Sequence, residues 1–154
     1  YMTKPFALPE LEARVREAGL KNVEIRGAVS KTDALRISVG SSALVLLLKD
    51  DGTMDKTIPS KVFDYLAAGR PILFGLQGEA RSILEASGGN IGFDADVPGS
   101  LAEAACRLKG AYGTYASAAR GHRDLVRTRF RREAMTDELD REFEKLLHDS
   151  DDLS

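Results

Sequence analysis

The sequence of 154 residues predicts an α/β fold, a Rossmann-like parallel sheet with helices on both faces and a helical C-terminus. Up to residue 109, short apolar stretches alternate with helical patterns, which is typical of βαβ units. The clearest strand, residues 43–48, is apolar throughout, as in a parallel sheet that is covered on both faces. From residue 111 onward the pattern is helical to about residue 148,.

Caps and apolar spacing predict the elements in order. Ser30 can cap a helix, because its hydroxyl can accept a hydrogen bond from the first turn. Residues 23–26 alternate between apolar and polar side chains and stop at Gly27, which indicates a short strand. The helical C-terminal half is expected to break near Gly121 and Phe130. The predicted helices cover residues 9–18, 30–39, 59–68, 78–87, 100–109 and 111–148, and the predicted strands cover 23–26, 43–48, 71–74 and 90–93.

Composition excludes several classes of function. The formal net charge is −2 and there is no Trp, so neither a global attraction to nucleic acid nor an aromatic platform for bases is expected. Cys106 is the one cysteine, which excludes an internal disulfide and favours a reducing compartment. No apolar run approaches the roughly 20 residues that span a bilayer. His122 and His148 have no partner at metal-ligand spacing, so no metal is expected.

The most informative segment is residues 57–73, in which Pro59 opens a helix and Gly69 closes it,. Lys61 lies in the first turn, where the helix dipole disfavours a cation by about 0.3–1 kcal/mol. A bound anion would explain this cation, because backbone N–H groups at a helix start favour phosphate. We therefore expect Ser60 and Lys61 to meet a diphosphate and Asp64 to bind the attached ribose. The alternative is an ordinary Lys61–Asp64 surface pair, worth about 0.2–0.5 kcal/mol, and residue chemistry alone favours it.

Other features of the chain have simpler interpretations. Gly69 is interpreted as a helix terminator. Residues 75–79, which contain two glycines, are interpreted as a simple turn, and the alternative is a close approach of their backbone to a ligand. A cluster of arginines between residues 120 and 132 is balanced by an acidic tail, which favours a solvated helix face over contact with an acidic membrane or ligand. On the helix 59–68, the predicted apolar stripe is Val62, Phe63, Leu66 and Ala67.

Residues 58–72 resemble the nucleotide-sugar signature of family 4 glycosyltransferases. These enzymes have the GT-B architecture, in which two Rossmann-like domains enclose the active site. Residues 22–29, 42–48, 89–93 and 129–133 are similar to further landmarks of the family and occur in the same order. The resemblance covers most of residues 8–148. It implies the donor-binding part of a retaining glycosyltransferase in bacterial surface polysaccharide or glycolipid synthesis, with a UDP-sugar as donor.

The resemblance also implies roles for individual residues. Lys61 would stabilise the leaving diphosphate and so act in catalysis, and Asp64 would hold the ribose. GT-B enzymes generally use helix dipoles and basic side chains at this point, so neither a metal nor another cofactor is expected. The implied substrate-binding residues are Asp64, Ser60, Pro59, Ile58, Thr57, Ala28, Val29 and Lys56.

Two departures from the family pattern qualify these expectations. Lys56 stands where the family carries a Glu that contacts the donor sugar, although Asp55 could substitute. This departure favours an alternative, a non-catalytic nucleotide-binding or regulatory module, and a sugar-nucleotide epimerase is a third possibility.

The second departure is that the first strands of the family's nucleotide domain and the acceptor-binding N-terminal domain have no counterpart in residues 1–154. We therefore expect one partial nucleotide-sugar-binding domain that is inactive alone. Its sheet would be completed by the missing N-terminal domain, another chain or a homodimer. The whole protein is expected in the cytoplasm, peripheral to the inner membrane face, because acceptors in the family are commonly lipid-linked.

Overall fold

The computed structural model describes residues 8–47 and 58–129. Within them the chain is α/β, with a three-stranded parallel sheet of order β1–β2–β3 and helices before, between and after the strands. The predicted alternation of strands and helices is confirmed from the first strand onward, whereas the first two helices follow each other with no strand between them. The elements are α1 (Leu8–Glu17), α2 (Lys31–Gly40), β1 (Leu44–Leu47), α3 (Ser60–Ala68), β2 (Ile72–Gly75), α4 (Gly78–Ala86), β3 (Ile91–Gly92), α5 (Ser100–Gly110), α6 (Tyr112–Ala119) and α7 (His122–Arg129).

Two consecutive βαβ units build the sheet. Strand β1 pairs with β2 so that Leu44 lies opposite Ile72, and β2 pairs with β3 so that Leu73 lies opposite Ile91. Helix α3 follows β1 and α4 follows β2. Because parallel strands all end at the same edge, both helices begin at the carboxyl edge of the sheet, where α/β proteins bind ligands.

Helices cover both faces of the sheet, as the sequence predicts. Under α3 and α4, alternate side chains of β1 and β2 form the larger core with residues of both helices. Its buried members are Leu44, Leu46, Val62, Leu66, Ala68, Ile72, Phe74, Leu76, Ala80 and Leu84. On the other face, the buried residues Leu73, Ile91 and Phe93 pack with Ala104 and Leu108 of α5.

Strand β1 forms an edge of the sheet among the described strands. Val45 on β1 is 48% exposed, whereas its register partner Leu73 on the central strand is 4% exposed. Residues 23–26, which the sequence predicts to be a strand, have no regular structure, so this prediction is wrong. Their alternation fits a strand, but no described strand lies beside them to pair with their backbone groups,. Glu24 and Arg26 instead form an exposed ion pair, with Arg26 Nε 2.8 Å from Oε1.

The predicted helix boundaries agree closely with the structure. Ser30 caps α2, since its Oγ accepts a hydrogen bond from the Asp33 N–H at 3.1 Å. The predicted break near Gly121 is confirmed, because α6 ends at Ala119 and α7 begins at His122. The predicted break near Phe130 and the predicted helix beyond it lie outside the described residues. Within 8–47 and 58–129, no helix has the length and apolar character needed to cross a membrane.

Candidate functional site

Helix α3 is firmly packed along its length. Val62 and Leu66 are both 0% exposed and belong to the larger core. The predicted apolar stripe is only partly right, because Ala67 is exposed whereas Ala68 is buried. The physical reason is that Ala68 packs in the larger core, to which Ala67 does not belong, at the end of α3 against which α7 also packs. The sequence of α3 alone carries no sign of this neighbour.

The C-terminal end of α3 is capped twice. Gly69 has a φ of 66° and donates its N–H to the Leu66 carbonyl at 2.9 Å, which confirms it as the helix terminator. Arg123 donates from Nε to the Ala67 carbonyl at 3.1 Å and from Nη2 to the Ala68 carbonyl at 3.3 Å. Arg123 therefore satisfies carbonyl groups that a helix end leaves without an intrahelical partner. This member of the arginine cluster has a structural role that the expected solvated face does not include.

Among the described residues, no side chain caps the N-terminal end of α3. Its cap residue is Pro59, which makes no side-chain hydrogen bond to the first turn. Pro59 is buried, and Ile58 is half-buried against the larger core. These two side chains fix the start of the helix, so they could serve a ligand only through their backbone. Ser60 and Lys61 are exposed and begin the helix at the carboxyl edge of the sheet.

Lys61 and Asp64 do not pair with each other. The ion pairs of the described residues lie elsewhere, joining Arg14 to Glu10, Arg26 to Glu24, Arg36 to Asp33 and Arg81 to Glu85. Asp64 is half-buried beside Tyr65. Burial raises the pKa of the Tyr65 hydroxyl, and the negative charge of Asp64 adds to the rise. The structure thus differs from the surface-pair alternative and leaves both charges available to a third group.

The other predicted site residues divide into two groups. Ala28 and Val29 are exposed in the irregular segment before α2, and no hydrogen bond between described residues joins them to α3. The far end of α2 is close to α3, because Arg70 Nε donates to the Val39 carbonyl at 2.8 Å. Lys56, its neighbour Asp55, and Thr57 lie outside the described residues. The structure therefore brings together residues 58–61 and 64, and not Ala28 and Val29.

Close packing, not a turn, explains Gly75 at the carboxyl edge. Gly75 is the last residue of β2, so its interpretation as part of a simple turn is wrong. A Cβ at this position would lie 2.8 Å from Phe93 Cε2 and 2.9 Å from Leu47 Cδ1. Both neighbours are distant in sequence, and no local signal could have shown the contact. Gly78, with a φ of 65°, begins α4 after it.

Asn90 is a structural residue that the sequence did not reveal. Its Oδ1 accepts a hydrogen bond from the Ile72 N–H at 3.0 Å, and its Nδ2 donates to the Leu84 carbonyl at 2.9 Å. Asn90 thereby ties the end of α4 to the start of β2. In the described residues, no cluster of His, Cys, Asp and Glu could hold a metal ion.

No protein family, no curated protein and no solved structure matches the chain. The resemblance to family 4 glycosyltransferases is therefore a hypothesis that rests on the sequence.

Proposed function

We propose that this chain is the donor-binding portion of a retaining glycosyltransferase, and that the first turn of α3 binds the diphosphate of a nucleotide sugar. The observation that supports this proposal is the pair of charges at that turn. Lys61 and Asp64 are one helical turn apart, and neither forms an ion pair with a described residue. The helix that carries them is otherwise fixed by Val62, Leu66 and Gly69.

The proposed chemistry follows from the position of each group. The first-turn N–H groups and the Lys61 ammonium would stabilise negative charge as the nucleoside diphosphate departs. Asp64 would accept hydrogen bonds from the two ribose hydroxyls. Ile58, half-buried against the core, and the buried Pro59 would hold this turn in place before the ligand arrives, which lowers the ordering cost of binding. On this proposal Ala28 and Val29 border the base, and Thr57 and Ser60 contribute to the diphosphate loop.

Calorimetry with UDP, GDP and UDP-sugars tests the proposal. Lys61→Ala should weaken UDP binding about tenfold, or about 1.4 kcal/mol, and leave uridine unaffected, because uridine carries no phosphate. Lys109→Ala is the matched control, since Lys109 is an exposed lysine in the last turn of α5. Failure of the wild-type chain to bind any of these nucleotides would refute the donor-site assignment.

A second comparison isolates Asp64. The wild-type chain should prefer UDP to its 2′-deoxy analogue, because the ribose offers one hydroxyl more to the carboxylate. Asp64→Ala should remove this preference, which is worth about 1.5–3 kcal/mol for a hydrogen bond to a charged group. Glu103→Ala, a carboxylate substitution in the first turn of α5, is the control. An unchanged preference in Asp64→Ala would contradict the ribose role.

The runner-up is a nucleotide-binding or regulatory module without transfer activity, and Lys56 is the residue that favours it. A lysine ammonium cannot accept hydrogen bonds from sugar hydroxyls. On this alternative the chain binds UDP and a UDP-sugar equally, and Lys56→Glu introduces a preference for the UDP-sugar. On the glycosyltransferase proposal the wild-type chain already prefers the UDP-sugar.

A further inference from the structure

His122, the first residue of α7, lies at a crowded junction of three segments. The turn formed by residues 87–90 joins α4 to β3 and packs on the end of α6. A Cβ on Gly89 would lie 2.6 Å from the Ala119 N and 2.9 Å from the Tyr115 carbonyl oxygen. The turn therefore lies directly on the α6 backbone. His122 is 0% exposed beside it, although histidine is seldom buried so completely.

The hydrogen bonding of His122 determines which ring nitrogen carries the hydrogen in the neutral side chain. Its Nε2 lies 2.6 Å from the Gly88 carbonyl oxygen, which can only accept, so Nε2 carries the hydrogen. In the neutral ring Nδ1 is then the nitrogen without a hydrogen. Nδ1 is buried and has no hydrogen-bond partner among the described residues. A proton added at Nδ1 would therefore create a buried N–H donor that has no acceptor.

No charged group near the junction stabilises the positive charge that such a proton would bring to the ring. Burial lowers the pKa of His122, and its bond to Gly88 opposes the shift only in part. No charged side chain contributes to this shift. The 87–90 turn and α6 contain no charged residue, and Arg81 and Glu85 of α4 pair with each other. The remaining titratable or charged groups on the elements that pack here are Glu79, Tyr112, Tyr115, Arg120, Arg123, Asp124, Arg127 and Arg129, with Lys61, Asp64 and Tyr65 on α3.

The helix that begins at His122 also holds α3. Arg123 caps the Ala67 and Ala68 carbonyls, and Val126 packs against the larger core. A positive charge at the first residue of α7 would in addition oppose the dipole of that helix. Protonation of His122 thus acts on the helix whose next residue, Arg123, caps the C-terminal end of α3.

We propose that His122 is a pH-sensitive latch, which holds α7 on the 87–90 turn when neutral and loosens α7 from α3 when protonated. The folded chain favours the neutral ring of His122, so acid should lower the stability of the folded chain. The contribution of the neutral ring to stability is complete above about pH 6.5, the ordinary histidine pKa. It is lost as the pH falls from there to the lowered pKa of the folded chain,. The proposal does not depend on the proposed glycosyltransferase function.

Urea unfolding of the full chain at about pH 7.5 and about pH 5.5, on either side of the histidine range, tests the latch. In the wild type, acid should raise the unfolding equilibrium constant by up to about tenfold, because pH 5.5 is about one unit below the ordinary histidine pKa. His122→Gln keeps an amide donor for the Gly88 carbonyl and cannot titrate, so it should show a smaller acid effect. His148→Gln removes the other histidine and should behave as the wild type. Equal acid effects in all three proteins would overturn the proposal.

Two further measurements localise the effect and do not require the glutamine variant to be stable. In wild-type chain, hydrogen exchange in α7 and at the end of α3 should accelerate at about pH 5.5 more than exchange in α5, after correction for intrinsic rates. An NMR titration, assigned with His148→Gln, should place the His122 pKa below the ordinary value of about 6.5. A His122 ring that titrates at or above that value, or uniform acceleration of exchange, would contradict the latch.

Discussion

Two regions of the molecule, residues 8–43 and residues 58–129, contain similar helices but hold them in different ways. In the second region α3, α4, α5, α6 and α7 each contribute at least one buried side chain. In the first region α2 contributes none. The large apolar side chains exposed there are Leu11, Leu20, Val23, Val29, Leu35, Ile37 and Val39.

Local signals and packing therefore contribute separately to the stability of a helix. The helices of the first region have local supports, such as the Ser30 cap and ion pairs of Arg14 with Glu10 and Arg36 with Asp33. Exposed ion pairs within a helix stabilise it by only about 0.3–0.5 kcal/mol each. Helix α3 lacks a side-chain cap, yet it is fixed by buried contacts. We therefore expect the largest effects of substitution in the second region.

The sharpest test of this comparison pairs two leucines. Leu66→Ala should lower the free energy of unfolding by about 2–5 kcal/mol, because Leu66 is 0% exposed in the larger core. Leu35→Ala on α2 should cost about 0.5 kcal/mol or less, since Leu35 is 39% exposed. Urea unfolding measures both. Equal losses would mean that α2 is packed in solution and that the contrast between the two regions is wrong.

A second test uses adjacent glycines within the well-packed region. Gly88 and Gly89 have φ values of 69° and 68°, so an alanine at either position adopts an unfavourable backbone conformation. Only Gly89 also faces backbone atoms, whereas a Cβ at Gly88 meets nothing within 4 Å. We expect Gly89→Ala to cost about 1–3 kcal/mol more than Gly88→Ala, as overpacking does. Similar thermal unfolding midpoints for the two variants would show that the α6 backbone moves aside.

A third test uses the helix cap in the first region. Ser30→Ala removes the cap of α2 and should cost about 1 kcal/mol of local helix stability. Because α2 has no buried side chain, the loss should show in the hydrogen exchange of α2 and not in that of β2. Faster exchange in both elements would indicate that α2 and the sheet unfold together, and that the two regions form one cooperative unit.

The parts of the fold that depend on short-range chemistry could be predicted from the sequence. The Ser30 cap, the Gly69 terminator and the apolar runs of β1 and β2 depend on neighbours along the chain, and they set the predicted boundaries. The false strand at residues 23–26 shows where such reasoning stops. Alternation describes two faces of a strand, but pairing needs a neighbour that no local pattern contains.

The candidate site divides in the same way. Lys61 and Asp64 could be chosen from their spacing within one helix. Three other contacts join residues that are distant in the sequence. Gly75 and Phe93 are 18 positions apart, Ala68 and Arg123 are 55 apart, and Gly88 and His122 are 34 apart. Each is set by the tertiary arrangement of the helices around the sheet. That arrangement was not available from the sequence, so these residues were missed.

The double cap on α3 has a mechanical consequence. A helix of nine residues is about 13 Å long, and Arg123 caps the C-terminal end of α3. A displacement of its first turn is therefore transmitted along the helix axis to α7, because close-packed side chains leave α3 little room to bend. A molecule that binds at residues 59–61 would thus displace Arg123, on the opposite edge of the sheet.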